Sequence, residues 1–177
     1  MTFFMAVLWL VMLTFLPMLE LRASIPFGFF HAGIRSAISL PGMVLLCLVT
    51  NICVGVIAYR LMGPVERWLR LWGWFDRVIW PRIARARGKL HPYVEKYGEF
   101  GVALFIGVPL PGTGAYTGAF GSYLLGLDRR RFYIANALGV LLACCAVTAI
   151  CLLIDQGVVA EDSLMRHIFL KQVPAAE

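Results

Sequence analysis

Charge is what this sequence lacks most. Of its 177 residues only 15% are Asp, Glu, Lys or Arg, while 60% are hydrophobic; ordinary soluble domains carry roughly 25% charged residues. That deficit excludes a disordered chain, a coiled coil and nearly every water-soluble fold. The amino terminus lacks the basic segment and the A-x-A site of a secretory signal, and its apolar stretch from Thr2 to Leu19 is long for one. A retained membrane helix fits it better. The five cysteines (Cys47, Cys53, Cys144, Cys145, Cys151) lie in apolar runs without CxxC or Cys/His spacing, so buried packing is expected rather than disulfides or metal. No Ser/His/Asp or Cys/His constellation and no P-loop is present. Neither an enzyme nor a cofactor is expected.

The charge that is present is unevenly spread. The formal net charge is +6, from 16 basic and 10 acidic residues; residues 60–96 hold nine basic and three acidic groups, leaving seven of each elsewhere. The whole excess therefore sits in one central loop with apolar flanks. A nucleic-acid partner would need a polar scaffold around such a loop, and none is there.

A helix needs about 20 apolar residues to cross a bilayer. Met1–Leu19, Gly42–Tyr59 and Phe132–Ile154 meet this and are predicted as full spans. Two further apolar segments are interrupted. Ala23–Leu40 contains Pro26, Gly28, Gly33 and Arg35, and Phe100–Leu127 is broken by Pro109-Leu110-Pro111-Gly112-Thr113-Gly114. Such a run does not stay helical, and in hydrocarbon its freed backbone groups must be met by protein or a wet cavity. The positive-inside rule places residues 60–96 in the cytoplasm. Arg129, Arg130 and Arg131 stay on that side only if Phe100–Leu127 enters and returns. By the same logic Ala23–Leu40 is a hairpin from the outer face, and the N-terminus is cytoplasmic.

The predicted fold is thus an all-α membrane protein: three full spans and two opposed re-entrant hairpins forming an inverted repeat, a recurrent transporter plan. Its segments are 1–59 (first span, outer hairpin, second span), 60–96 (basic Trp-rich loop), 97–154 (inner hairpin, third span) and a tail, 155–177. In the loop, Trp68, Leu71, Trp72, Phe75 and Ile79 recur at helical spacing with Arg70 and Arg77 opposite, as in a helix lying in the cytoplasmic headgroup region.

Chemistry concentrates at the breaks. Opened helix ends around Pro109, Pro111, Gly112, Thr113, Gly114, Tyr116 and Thr117 present free N–H groups suited to an anionic headgroup or carboxylate, with Ser122 a further hydroxyl. Glu20, Arg22 and Arg35 are the charged side chains between residues 1 and 59. Ionisable groups at membrane depth are functional candidates, since each costs roughly 2.5–3.5 kcal/mol to insert. Glu20 is the candidate ion-coupling group, and Arg22 and Arg35 the candidates to pair with it or grip a phosphate. Their alternative is to mark the outer interface. His31 is a weaker relay candidate, Asn51 and Asn136 suit interhelical hydrogen bonds, and Asp128 a solvated ion pair.

Glu20-Leu21-Arg22-Ala23-Ser24-Ile25-Pro26-Phe27-Gly28, Lys96-Tyr97-Gly98, Pro109 to Gly118 (PLPGTGAYTG) and Leu124-Leu125-Gly126-Leu127 resemble the small multidrug export proteins of bacteria and archaea, over about residues 10–155. That family in turn distantly resembles the DedA/VTT membrane proteins, a likeness that implies paired re-entrant hairpins and lipid or carrier-lipid transport. By that resemblance an acidic residue of the first hairpin maps to Glu20 and an arginine to Arg22 or Arg35. The second hairpin carries no charge, unlike a symmetric two-carboxylate pattern.

The sequence therefore points to a multi-pass inner-membrane transporter or flippase, ion-coupled. It would move a small amphipathic or phosphorylated lipid-type substrate, with membrane lipids around it and a homodimer as its assembly. The competing reading is a non-transporting scaffold that recruits a partner through the Trp-rich loop.

Overall fold

The computed structural model describes residues 2–17, 19–74, 77, 80, 81, 85, 98–110 and 113–156. Among them every regular element is a helix: α1 (Phe3–Phe15), α2 (Glu20–Phe30), α3 (Ala32–Ala37), α4 (Leu40–Arg70), α5 (Gly98–Gly107), α6 (Ala115–Leu125) and α7 (Arg129–Asp155). Two of them, α4 and α7, are long and apolar enough to cross a membrane.

The sequence explains most of the boundaries and corrects some expectations. The first helix stops at Phe15, short of the predicted Leu19, with Leu16 in extended geometry (ψ 123°), because Pro17 disfavours helix in the residue before it. Thirteen residues reach about 20 Å, less than the ~30 Å hydrocarbon core. The predicted break at Pro26 is not seen: α2 runs through that proline, losing one hydrogen bond while neighbours on several sides hold the helix. The chain bends instead at His31 (ψ 109°), before α3.

The next helix starts at Ser39, with Pro41 in its first turn, and continues to Arg70, well past Tyr59. Trp68, expected in a separate interfacial helix, belongs to the last turn of α4 and meets Trp72 ring to ring at 5.4 Å. Phe75 and Ile79 lie outside the described residues. The last helix contains the expected span 132–154. Asp128, expected to form an ion pair, caps it by accepting the Arg130 N–H at 3.0 Å, the usual office of Asp at an N-cap. The sequence's second predicted break does fall on the Pro/Gly run, between Gly107 and Ala115. With it the order short helix, break, short helix, long helix occurs twice, in α2–α4 and α5–α7.

The apolar interior holds charge, and the exterior is apolar as well. The short α2 is central, set against α1, α4 and α7, and nine of its eleven residues are buried, Glu20, Arg22 and Ser24 among them. Other buried polar side chains are Thr14, Asn51, Ser122 and Asn136, whereas Phe3, Phe4, Trp9, Leu45, Val49, Leu138 and Leu142 face outward. An apolar shell this extensive is surface for lipid, not water. Close approaches depend on missing side chains: a Cβ at Gly28 would fall 2.3 Å from Met43 Sδ, and one at Gly139 would fall 2.6 Å from the Ala103 carbonyl.

The end of the α6–α7 corner is fastened by aromatics. Tyr59 stacks on Phe132 at 4.5 Å and donates its hydroxyl to the Leu127 carbonyl, while Tyr123 donates to Glu66. Gly126 closes α6 in the left-handed region (φ 78°), with Leu127 N–H returning to Ser122 O, a Schellman-type stop.

Candidate functional site

A helix interrupted between Gly107 and Ala115 exposes two kinds of unsatisfied backbone. The final carbonyls of α5 carry partial negative charge, and the first N–H groups of α6 partial positive charge. Two side chains from the start of α2 meet both. Glu20 accepts from the Ala115 N–H at 3.0 Å (Oε2) and from the Tyr116 N–H at 3.2 Å (Oε1). Arg22 Nη2 donates to the Ile106 and Val108 carbonyls at 3.1 and 2.9 Å and lies 3.1 Å from Thr113 Oγ1. Carboxylate sits at the positive end and guanidinium at the negative end. Glu20 and Arg22 are 3% and 6% exposed; this burial is tolerable because each charge is held by oriented dipoles.

Local backbone geometry aims these groups. Glu20 opens α2 with φ 48°, the left-handed region that non-glycine residues rarely occupy, and such strain, of about 1–3 kcal/mol, gathers at functional sites. Gly114 must be glycine for a different reason. Its backbone is extended, but a Cβ there would stand 2.5 Å from Glu20 Oε1. Its N–H donates to Thr117 Oγ1 at 2.9 Å, so the hydroxyl meets another free donor of the α6 start. Thr113 Oγ1 lies within 2.8 Å of Val108 O and 2.9 Å of Leu110 O, folding the linker back on itself. The Tyr116 hydroxyl donates to Phe15 O at 2.7 Å, tying α6 to the end of α1.

Of the residues nominated from sequence, Glu20, Arg22, Thr113, Gly114, Tyr116 and Thr117 are brought together. Pro109 lies half-buried in the linker without a polar role. Pro111 and Gly112 lie outside the described residues. Arg35 does not join the cluster: it is half-exposed, 3.8 Å from Asp155 at the end of α7, and covers the Phe29 ring at 5.0 Å. His31 sits at the α2–α3 bend against Phe27, also apart. Asn51, expected to make an interhelical hydrogen bond, makes it to the carboxylate at the centre of the cluster. Its amide donates to Glu20 Oε2 at 3.4 Å, and its one advance signal was being a lone amide in an apolar run. The carbonyls of Ile106 and Val108 carried no signal at all.

Asn136 extends the buried polar row by donating to Ile52 O at 3.1 Å, over Gly55, where a Cβ would collide with it. Among the described residues, the buried polar atoms left without a partner include Arg22 Nε, Asn51 Oδ1 and Asn136 Oδ1. Among the described residues no cluster of His, Cys, Asp and Glu could hold a metal, and the five cysteines are free thiols.

An apolar exterior around a buried, charged helix break defines a helical membrane protein with a polar centre. The chain belongs to the family described as "Putative small multi-drug export protein", which it matches over residues 20–146. The matched range begins at Glu20 and takes in both sides of the break. No curated protein and no solved structure matches the chain.

Proposed function

We propose that this protein is an ion-coupled transporter whose substrate carries an anionic head, bound at the α5–α6 break. The observation that carries this reading is the Glu20 carboxylate on the Ala115 and Tyr116 N–H groups. A helix N-terminus with free donors is an anion position, and here the protein's own carboxylate fills it. Protonating Glu20 removes the charge that keeps it there. The two N–H groups, Thr113 and the unpartnered Nε of Arg22 then suit a phosphate or carboxylate of an amphipathic, lipid-type substrate. Proton and substrate anion would enter together and leave together, because the ionised carboxylate and the substrate compete for one place.

In this reading the two broken segments are re-entrant from opposite faces of the inner membrane. Residues 60–96 are cytoplasmic, by the positive-inside rule. Two copies form the working unit, since α4 and α7 alone offer little wall to enclose a path.

Reconstitution in proteoliposomes tests it: alkyl phosphate flux should acidify or alkalinise the lumen in step, and Glu20→Gln should uncouple the two. Equal flux and equal proton movement in wild type and Glu20→Gln would overturn the proposal. The scaffold reading has its own support in the exposed Trp68, Leu71, Trp72 and Trp74 at the end of α4. It predicts that removing 68–80 abolishes function while Pro111→Ala or Gly112→Leu is tolerated.

A further inference from the structure

The two limbs of the second broken segment touch at one end and part at the other. At Gly118 a Cβ would stand 2.6 Å from the Ile106 side chain, yet at Gly101 and Gly121 a Cβ would meet nothing within 4 Å. Between the limbs lies a half-open slot of about 310 Å³, walled by Val102, Phe105, Thr117, Ser122, Leu125 and Leu127 together with glycines of both helices. From Leu125 to Thr117 it runs about 12 Å at 1.5 Å per residue, close to the ~15 Å hydrocarbon depth of one leaflet. Ser122, 1% exposed, sits on the wall with its hydroxyl unpartnered. The wide end opens beside the start of α7, where Arg129 and Arg130 are exposed and Arg131 pairs with Glu99 at 3.3 Å.

We infer that this slot takes one acyl chain of an anionic phospholipid whose phosphate rests on Arg129 and Arg130. The missing side chains make a channel one alkyl chain wide. The arginines outnumber the local acids, Asp128 and Glu99, of which Asp128 is engaged in capping α7. An anionic head is thereby favoured over a zwitterionic one. The site is separate from the Glu20–Arg22 centre and stands whether or not the protein transports.

The test uses the full chain in phosphatidylcholine nanodiscs containing phosphatidylglycerol with a photoactivatable acyl chain, and peptide mapping of the label. Label should concentrate on 98–105 and 117–125 over the lipid-facing Leu45 and Val49 of α4. Gly101→Leu and Gly121→Leu, placed where a Cβ meets no neighbour within 4 Å, should each cut slot labelling about tenfold (~1.4 kcal/mol of affinity) while α4 labelling stays constant as the folding control. The double variant Arg129→Gln/Arg130→Gln should reduce phosphatidylglycerol labelling to the level of an equally tagged phosphatidylcholine. Unchanged slot labelling in the leucine variants, equal labelling by both lipids in the wild type, or cross-links seating a second copy's helix in the slot would overturn the inference.

Discussion

The carboxylate of Glu20 occupies the space that any side chain at position 114 would need: a Cβ on Gly114 would lie 2.5 Å from Oε1. The two residues are far apart in sequence and are fitted to each other at the first turn of α6. Gly114→Ala should push the carboxylate off the Ala115 and Tyr116 N–H groups and cost about 2 kcal/mol, in the range of overpacking. A double-mutant cycle with Glu20→Ala checks this by thermal unfolding in detergent. The two losses should be non-additive by about 1 kcal/mol or more, and strict additivity would show that the contact carries no energy.

Glu20→Gln and Glu20→Ala should separate charge from capping. Glutamine retains a carbonyl acceptor for one backbone N–H and should cost about 1 kcal/mol, whereas alanine forfeits both charge-assisted bonds and should cost about 2 kcal/mol or more. Amide exchange at Ala115 and Tyr116 reads the difference directly, with faster exchange in the alanine variant.

Arg22 holds two carbonyls from below the break. Arg22→Met takes the guanidinium from the Ile106 carbonyl and leaves Glu20 the one charge in the interior of the cluster, at an expected cost of about 3 kcal/mol or more. Arg22→Lys keeps the charge but not the planar fork and should fall between wild type and methionine. Equal unfolding midpoints for the lysine and methionine variants would assign the effect to shape rather than charge.

Gly126, at φ 78°, ends α6 in the left-handed region that most residues with a Cβ avoid. Gly126→Ala should cost about 1–2 kcal/mol, and Gly126→Asn distinctly less, since Asn tolerates the left-handed region. Chemical denaturation of the two variants side by side is the measurement.

Gly139 faces a backbone atom, the Ala103 carbonyl, which cannot rotate away as a side chain can. Gly139→Ala should separate α5 from α7 and destabilise by about 2 kcal/mol. Thermal unfolding of the variant in detergent is the measurement, and an unchanged midpoint would show that the helices lie farther apart than described.

The sequence by itself determined the helical membrane class, through its apolar runs and scant charge, because those properties are local and additive along the chain. It also located the break at 109–114, where prolines and glycines remove the hydrogen bonds and stiffness of a helix. It did not determine that Pro26 stays helical, since packing around α2 outweighs a local propensity, nor that Arg35 lies beside Asp155. Composition could mark Glu20 and Arg22 as costly; it could not say what they offset. Only the tertiary structure decided that, by bringing a carboxylate to the opened N-terminus of α6 and a guanidinium to the opened C-terminus of α5. A helix dipole acts on whatever lies at its ends, and what lies there is fixed by the fold, not by the spacing of residues along the chain.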